Sequence, residues 1–283
     1  MEHKDYKKGQ NFKGRPDRKD FKKREREDRP VSAREENEIG NGAVIGRNAV
    51  RELLRSGRAV DKLLVQNGPR EGALVPLVGE ALERGIPVVE TERRKLDALA
   101  GGAPHQGIIA LAAEKEYCSV EDILAIAAER GEQPLIVVAD GISDPYNLGA
   151  VIRCAEGCGA HGLIIPKRHA AGLTPVVSKA SAGAIEHLAV AKVPNIAAAV
   201  DKLKEAGVWV YAAEAGGSDL RETDMNRAVA IVLGSEGSGV SDLVRKKCDY
   251  LISIPMYGKV NSFNVSCAAA VLLCEAAHQQ RKG

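Results

Sequence analysis

The sequence predicts an α/β protein in which a largely parallel sheet is covered by helices on both faces and is preceded by a smaller α/β unit. Three observations lead there. From residue 42 onward, short apolar and β-branched runs alternate with stretches of helical periodicity. Two of these runs, Ala228 to Leu233 and Tyr250 to Ile254, are too apolar for solvated loops, and a polar, glycine-bearing segment follows each. The 283 residues, 45% hydrophobic and 28% charged, suffice for two ordinary soluble domains.

Residues 1–38 read as a basic disordered tail. Residues 1 to 36 hold 13 Lys/Arg against 9 Asp/Glu, and Lys7-Lys8 and Lys22-Lys23-Arg24 mingle with Tyr6, Phe12 and Phe21 without helical or strand period. Such a segment is either a solvated extension or an arm that tracks RNA phosphates, with aromatics available for stacking.

Residues 39–114 form the first folded unit. A strand over 43–45 leads to a helix through Val50, Leu53 and Leu54, then a strand from Lys62 to Val65 ending at Asn67-Gly68. The stretch 72–84 places Leu74, Leu77, Val78, Ala81 and Leu82 on one helical face and stops at Gly85. A strand over 87–89, a short helix over 91–99 and a strand over 107–111 complete the unit. Residues 115–133 are a linker and helix, in which Ser119 and Asp122 form a capping pattern and Gly131 ends the helix.

The second unit spans 134–283. It begins with a strand over 134–139, a helix from Leu148, a strand over 162–165 and a helix over 178–188. A strand over 188–193, a helix over 195–206, a strand over 208–213 and the two apolar runs named above follow. The closing helix, 265–280, is apolar enough through Ala268 to Leu273 to require burial in a core or a subunit interface.

No run approaches the roughly 18 apolar residues of a membrane span, and the start is charged, so a cytoplasmic protein with no membrane partner is expected. The six cysteines form no C-x-x-C pair; no metal is expected, and most of them read as small core hydrophobes.

Chemistry concentrates where strands run into polar loops. Leu135 to Ala139 leads into Asp140 to Asn147 and then a helix start, an arrangement whose free backbone N–H groups can hold an anion. Asn147 is either the helix N-cap or a functional side chain. Arg153 falls within an apolar and small-residue helix, where a guanidinium needs a partner or an opening. The loop Gly234-Ser235-Glu236-Gly237-Ser238-Gly239 lacks the dinucleotide-binding spacing and the acidic residue about 20 positions later, which argues against a nicotinamide enzyme.

Taken together, Asn147-x-Gly149-x-x-x-Arg153, Gly234-x-Glu236-x-x-Gly239 and Ile254-Pro255-Met256-x-Gly258-x-x-x-Ser262-Phe263-Asn264-Val265-Ser266 resemble, in order and spacing, the three motifs of the SpoU/TrmH family of RNA 2′-O-ribose methyltransferases. The front unit, through Ile45-Gly46-Arg47-Asn48-Ala49-Val50 and Pro104-His105-Gln106-Gly107-Ile108, resembles the small RNA-binding domain of rRNA-directed members. The resemblance implies a SPOUT-type parallel sheet with a C-terminal trefoil knot and an L30e-like front domain. It also implies S-adenosyl-L-methionine held in the knotted loops, and a homodimer that completes the site. Periodicity alone gives only a doubly wound sheet.

The implied reaction needs a ribose hydroxyl placed in line with an activated methyl and relieved of one proton. By resemblance, Gly234, Ile254, Phe263, Glu214, Met256 and Gly258 bind the cofactor, and the turn Ser181-Ala182-Gly183 is a further lining candidate. The family usually has leucine at Phe263, so the ring changes local pocket shape. Arg153 is expected to handle the hydroxyl, with Asn147 orienting Arg153 or the ribose. Glu236 would hold Arg153 or a neighbouring loop, and Ser262 and Asn264 would donate to phosphate or substrate, with capping as the alternative for both. An always-charged guanidinium is a poor base, so Arg153 polarising the hydroxyl while an RNA phosphate takes the proton is the second version of its role. His105, His161, His169 and His187 lie outside the motifs and read as surface or structural. The pattern is nearest to members that methylate a guanosine of 23S rRNA; a tRNA ribose methyltransferase and a non-catalytic RNA-binding assembly factor are the rivals. RNA affinity is expected from Arg47, Arg51, Arg55, Arg58, Arg93, Arg94 and Lys95 together with the tail.

Overall fold

The computed structural model describes residues 42–282, so the basic tail lies outside the described residues. Four strands form the front sheet: β1 (Ala43–Ile45), β2 (Val60–Gln66), β3 (Val88–Thr91) and β4 (Ile108–Ala112), in the order β1-β4-β2-β3. Only β2 and β3 run parallel. Alternation along β2 sends Leu63 and Val65 to helices α1 (Arg47–Ser56) and α2 (Leu74–Glu83), while Leu64 faces Leu96 of α3 (Arg93–Ala100).

Helix α4 (Val120–Arg130) opens on the expected capping box. Ser119 Oγ accepts from the Asp122 N–H at 3.1 Å, and the Ser119 N–H donates to Asp122 Oδ2 at 2.8 Å.

The second sheet is wholly parallel, in the order β10-β8-β9-β5-β6-β7. Its strands are β5 (Leu135–Asp140), β6 (Gly162–Pro166), β7 (Ala189–Val193), β8 (Trp209–Asp219), β9 (Val229–Gly234) and β10 (Tyr250–Ser253). Its helices are α5 (Pro145–Gly157), α6 (Pro175–Ala180), α7 (Ile196–Glu205), α8 (Asp242–Lys247) and α9 (Val265–Lys282). Leu135, Val137 and Ala139 pack into the core formed with α5 and α9; Ile136 and Val138 pack into the core formed with α4 and α7. Burial on both faces explains why these strands read as unbroken apolar runs.

Several boundaries differ from expectation. Helix α5 starts at Pro145, because the Asp144 carboxylate accepts from the N–H groups of Tyr146 and Asn147 and proline suits the first helical position. Asn147 is therefore inside the first turn and is not the cap. The helix expected over 178–188 is α6 followed by a 3-10 turn, Ala184–Glu186, since Ala182 and Gly183 take positive φ between them. Strand β8 runs on to Asp219 instead of stopping near Ala213. Its ladder with β10 jumps from Ala212–Leu251 to Ser218–Ile252, leaving residues 213–217 bowed out of register. Cys118, Cys154, Cys158 and Cys248 pack half-buried on the cores, whereas Cys267 and Cys274 are exposed. Helix α9 buries one face, with Ala269, Leu272, Leu273 and Ala276 inside and Val271 exposed.

The described residues form one compact unit, and α6 links its two sheets. A Cβ on Gly149 of α5 would lie 2.4 Å from the Ala180 Cβ, so glycine is what lets α5 and α6 touch. On its other side, α6 sends Lys179 to Gln106 of the front unit, Nζ to Oε1 at 3.2 Å. The following turn adds Arg58 Nη2 to Glu186 Oε1 at 3.1 Å, with Glu186 buried. Arg58 is thereby spent on an internal ion pair, not on the RNA surface expected of it.

Candidate functional site

Three chain segments converge at the C-terminal edge of the parallel sheet. Asn147 comes from the first turn of α5, Glu236 from the loop after β9, and Asn264 from the residue before α9. Glu236 Oε1 accepts from Asn147 Nδ2 at 2.7 Å and from Asn264 Nδ2 at 2.9 Å, while Asn264 Nδ2 also donates to Asn147 Oδ1 at 3.0 Å. The orientation of Asn264 is fixed from behind. Its Oδ1 accepts from the Ser266 N–H at 2.9 Å and from Ser266 Oγ at 2.6 Å, which makes it the N-cap of α9. Both of its amide protons are then committed to Asn147 and Glu236, leaving no donor for a phosphate. Capping and site-building are one function here.

The loop carrying Glu236 is tight. Ser235 and Gly239 exchange both backbone hydrogen bonds, at 3.0 and 3.1 Å, and a Cβ on Gly234 would fall 2.0 Å from the Gly239 carbonyl carbon. Glycine at 234 is thus required by the loop's own closure. Asp140 secures the far end, its Oδ2 accepting from the Ser241 N–H at 2.8 Å.

Beside this node lies a cavity of about 700 Å³ between the bowed segment of β8, the loop after β9, the end of β10 and the start of α9. Gly234, Ile254, Phe263 and Glu214 of the expected cofactor set line it, as do Glu236, Ser262 and Asn264 of the expected catalytic set. Met256, Gly258, Asn147 and Arg153 do not, nor does the turn 181–183, which packs on Glu52 and Ala49 of α1. Glu214 Oε2 is buried with no hydrogen-bond partner among the described residues. An unpaired carboxylate oxygen in a cavity wall suits a ligand bearing hydroxyl or ammonium donors.

Arg153 is exposed and makes no hydrogen bond or ion pair among the described residues. Of the partners expected for Glu236, Arg153 or a neighbouring loop, it meets the loop before α9 through Asn264, and neither it nor Asn147 hydrogen-bonds Arg153 among the described residues. Among the described residues Ser262 Oγ reaches only Asn261 Oδ1, at 3.4 Å. His105 and His161 are buried and structural: the former accepts from the Gly107 N–H at 3.0 Å and the latter from the Leu135 N–H at 3.0 Å through their Nδ1 atoms. Sequence reasoning missed Asp144 and Asp140 as anchors of the site. Aspartate followed by proline ahead of a helical stretch was the available signal for Asp144. No group of three or more His, Cys, Asp and Glu among the described residues could hold a metal, and none of the described helices is long and apolar enough to cross a membrane.

A parallel α/β sheet whose loops join residues of three separated motifs in one hydrogen-bonded node beside a cavity defines a class, and comparison with known proteins specifies it. Residues 134–274 match the SpoU rRNA Methylase family, and residues 43–118 match the RNA 2′-O ribose methyltransferase substrate binding family. YacO of Bacillus subtilis strain 168, assigned to the TrmH family of tRNA/rRNA methyltransferases, is 45% identical over 233 residues, covering 82% of this chain and 93% of its own. A relative with the same assignment from Staphylococcus haemolyticus is 42% identical over 233 residues, with 82% and 93% covered. Among solved structures, the SpoU methyltransferase AviRb from Streptomyces viridochromogenes, in complex with AdoMet, superposes with a TM-score of 0.72 at 25% identity over 88% of this chain and 97% of that one. An RNA 2′-O ribose methyltransferase superposes with a TM-score of 0.71 at 25% identity, covering 89% and 93%. The chain belongs to the SpoU/TrmH family of RNA methyltransferases.

Proposed function

We propose that the protein transfers a methyl group from S-adenosyl-L-methionine to a ribose 2′-hydroxyl of RNA, in the cytoplasm. The observation that carries this reading is the Asn147–Glu236–Asn264 node, which joins one residue from each family motif at the mouth of one cavity. Gly234, Ile254, Phe263 and Glu214 would hold the cofactor, whose size and donors fit the cavity and the orphaned Glu214 oxygen. Bound there, the cofactor supplies a sulfonium-activated methyl. The chain supplies placement and proton handling. Glu236 and Asn264 fix Asn147, and Ser262 is left to donate to a phosphate or the ribose. Arg153 orients and polarises the hydroxyl. Because Arg153 does not line the cavity of its own chain, a homodimer in which a second copy completes the site is part of this proposal. So are a trefoil knot in the loops after β9 and β10, an L30e-like front domain over 39–114 that engages the RNA, and a catalytic domain over 134–283. Met256 and Gly258 would shape the knotted loop rather than its cavity wall.

The preferred substrate is a guanosine of 23S rRNA, because a separate front domain precedes the catalytic one. A tRNA ribose is the second reading, since the relatives' names join tRNA with rRNA. Mapping 2′-O-methyl positions in rRNA and tRNA from cells with and without the protein decides between them; no lost position in either sinks the activity and leaves a non-catalytic assembly role. Arg153→Ala and Glu236→Ala should each lose on the order of 100-fold in methyl transfer, the lower range for a proton-handling arrangement, with cofactor still bound in calorimetry. Near-normal turnover in Arg153→Ala removes it from the mechanism.

A further inference from the structure

The front domain carries a second cavity, of about 440 Å³, that shares no lining residue with the cavity at the node. The volume is in the range of small-ligand sites. Its wall includes Gln66 and Asn67, whose side-chain amides make no hydrogen bond among the described residues although each residue's backbone N–H is satisfied within the fold. Pro69 and Leu74 give it apolar surface. Arg93, 72% exposed, stands at the edge and is only loosely engaged by Asp97, at 3.7 Å.

One side of the cavity is a strained loop. Gln106 takes φ of +54° without being glycine, a conformation that persists only where its surroundings impose it. The buried His105 imposes it from beneath, bonded to the Gly107 N–H and to Asp97 Oδ1, each at 3.0 Å. Gln106 is held from above as well: its Oε1 accepts from the Arg47 N–H at 3.1 Å and from Lys179 Nζ at 3.2 Å, and its carbonyl accepts from Arg47 Nε at 3.0 Å.

We propose that this cavity binds the base of one unpaired RNA nucleotide, distinct from the nucleotide whose ribose reacts; the inference rests on the reading of the protein as an RNA methyltransferase. The chemistry selects a base over a phosphate. The wall's two arginines, Arg47 and Arg93, are matched by two carboxylates, Glu71 and Asp97, so it offers no net positive charge to hold an anion, and Glu71, with no cation paired to it among the described residues, can accept from N–H donors. Free amides can read a base edge through paired donor and acceptor, apolar residues can lie against its face, and Arg93 is placed for the flanking phosphate. Single-stranded segments, whose bases can be splayed out, are the form of RNA that meets these demands. Through Gln106 and Lys179 the pocket also touches α6, which packs on the helix bearing Asn147. A nucleotide seated here would fix the RNA against the element that orients the catalytic domain.

The test uses the full-length protein, a single-stranded oligoribonucleotide carrying 4-thiouridine, and a blunt RNA hairpin of equal length. Ultraviolet cross-links from the single strand should fall within residues 66–71 or 104–107, and the Gln66→Ala/Asn67→Ala variant should bind it on the order of 10-fold more weakly while cofactor affinity and melting temperature stay at wild-type values. The hairpin should show neither effect. Cross-links confined to other surfaces, or equal affinity of variant and wild type for the single strand, overturn the pocket. Methyl transfer by the wild type, measured separately on rRNA and tRNA, distinguishes failure of the pocket from failure of the enzymatic reading.

Discussion

At the level of single side chains, the node shows how little of the site is left to chance. Asn264 spends its oxygen on capping α9 and both amide protons on Asn147 and Glu236, so one residue transmits the position of a helix to a motif 117 positions away in sequence. Glu214 is the opposite case, a buried carboxylate oxygen with no hydrogen-bond partner among the described residues. Glu214→Gln should therefore melt at or above the wild-type temperature without ligand, yet bind S-adenosyl-L-methionine on the order of 10-fold more weakly, the loss of one charge-assisted hydrogen bond. Calorimetry and thermal melts of the same sample check both halves. The motif residues could be picked from the sequence, but their partners could not. Glu236 was expected to hold Arg153 or a neighbouring loop, and that its partners are two asparagines was not legible, because spacing along a chain does not say which side chains three converging loops bring within 3 Å.

At the level of elements, strands were the more readable. The runs that became β5 and β9 are buried on both faces, which leaves no polar alternation to blur them, whereas those that became β3 and β10 lie at sheet edges and stay partly exposed. Helix starts were less so: proline after Asp144 moved α5 three residues earlier than expected, and the positive φ of Ala182 broke the helix expected after β6. The α5–α6 contact was illegible, being set by a missing side chain. Gly149→Ala should destabilise by about 1–3 kcal/mol through overpacking against Ala180, read from denaturant unfolding. The 3-10 turn after α6 carries a titratable counterpart. Burial pushes the Glu186 carboxyl above its ordinary value of 4.5, with Arg58, Lys115 and His187 opposing the shift. A group whose folded value is raised contributes stability below its unfolded value and loses it as pH climbs through the folded one. Wild-type stability should accordingly fall, relative to Glu186→Gln, as pH rises from about 4.5 toward neutrality; melts across that range that run parallel for the two proteins remove Glu186 as the cause.

At the level of the molecule, charge and topology divide the work. The described unit holds a cofactor-sized cavity at one sheet and a base-sized cavity at the other, while the excess positive charge lies in residues 1 to 36, with 13 Lys/Arg against 9 Asp/Glu. Deleting 1–36 should weaken RNA binding modestly and flatten its dependence on salt, with cofactor affinity unchanged; an unaltered salt slope makes the tail a bystander. The doubly wound character of the main sheet was legible, whereas the way α6 and its turn bind the two sheets together was not, since it depends on Lys179, Glu186 and His187, none of which belongs to any periodic pattern.

The bow of residues 213–217 out of the β8–β10 ladder has a consequence for how such a protein can change. Residues held in a ladder are constrained by their neighbours on both sides, but Ala213, Glu214 and Ala215 carry part of the cavity wall without carrying the sheet's register. Substitutions at Ala213, Glu214 or Ala215 can alter what the cavity accepts while the strands on either side keep their pairing, whereas a Cβ on Gly217 would fall 2.6 Å from the Leu251 carbonyl carbon, so the first three positions are where a bulkier ligand would be accommodated first, by selection or by design.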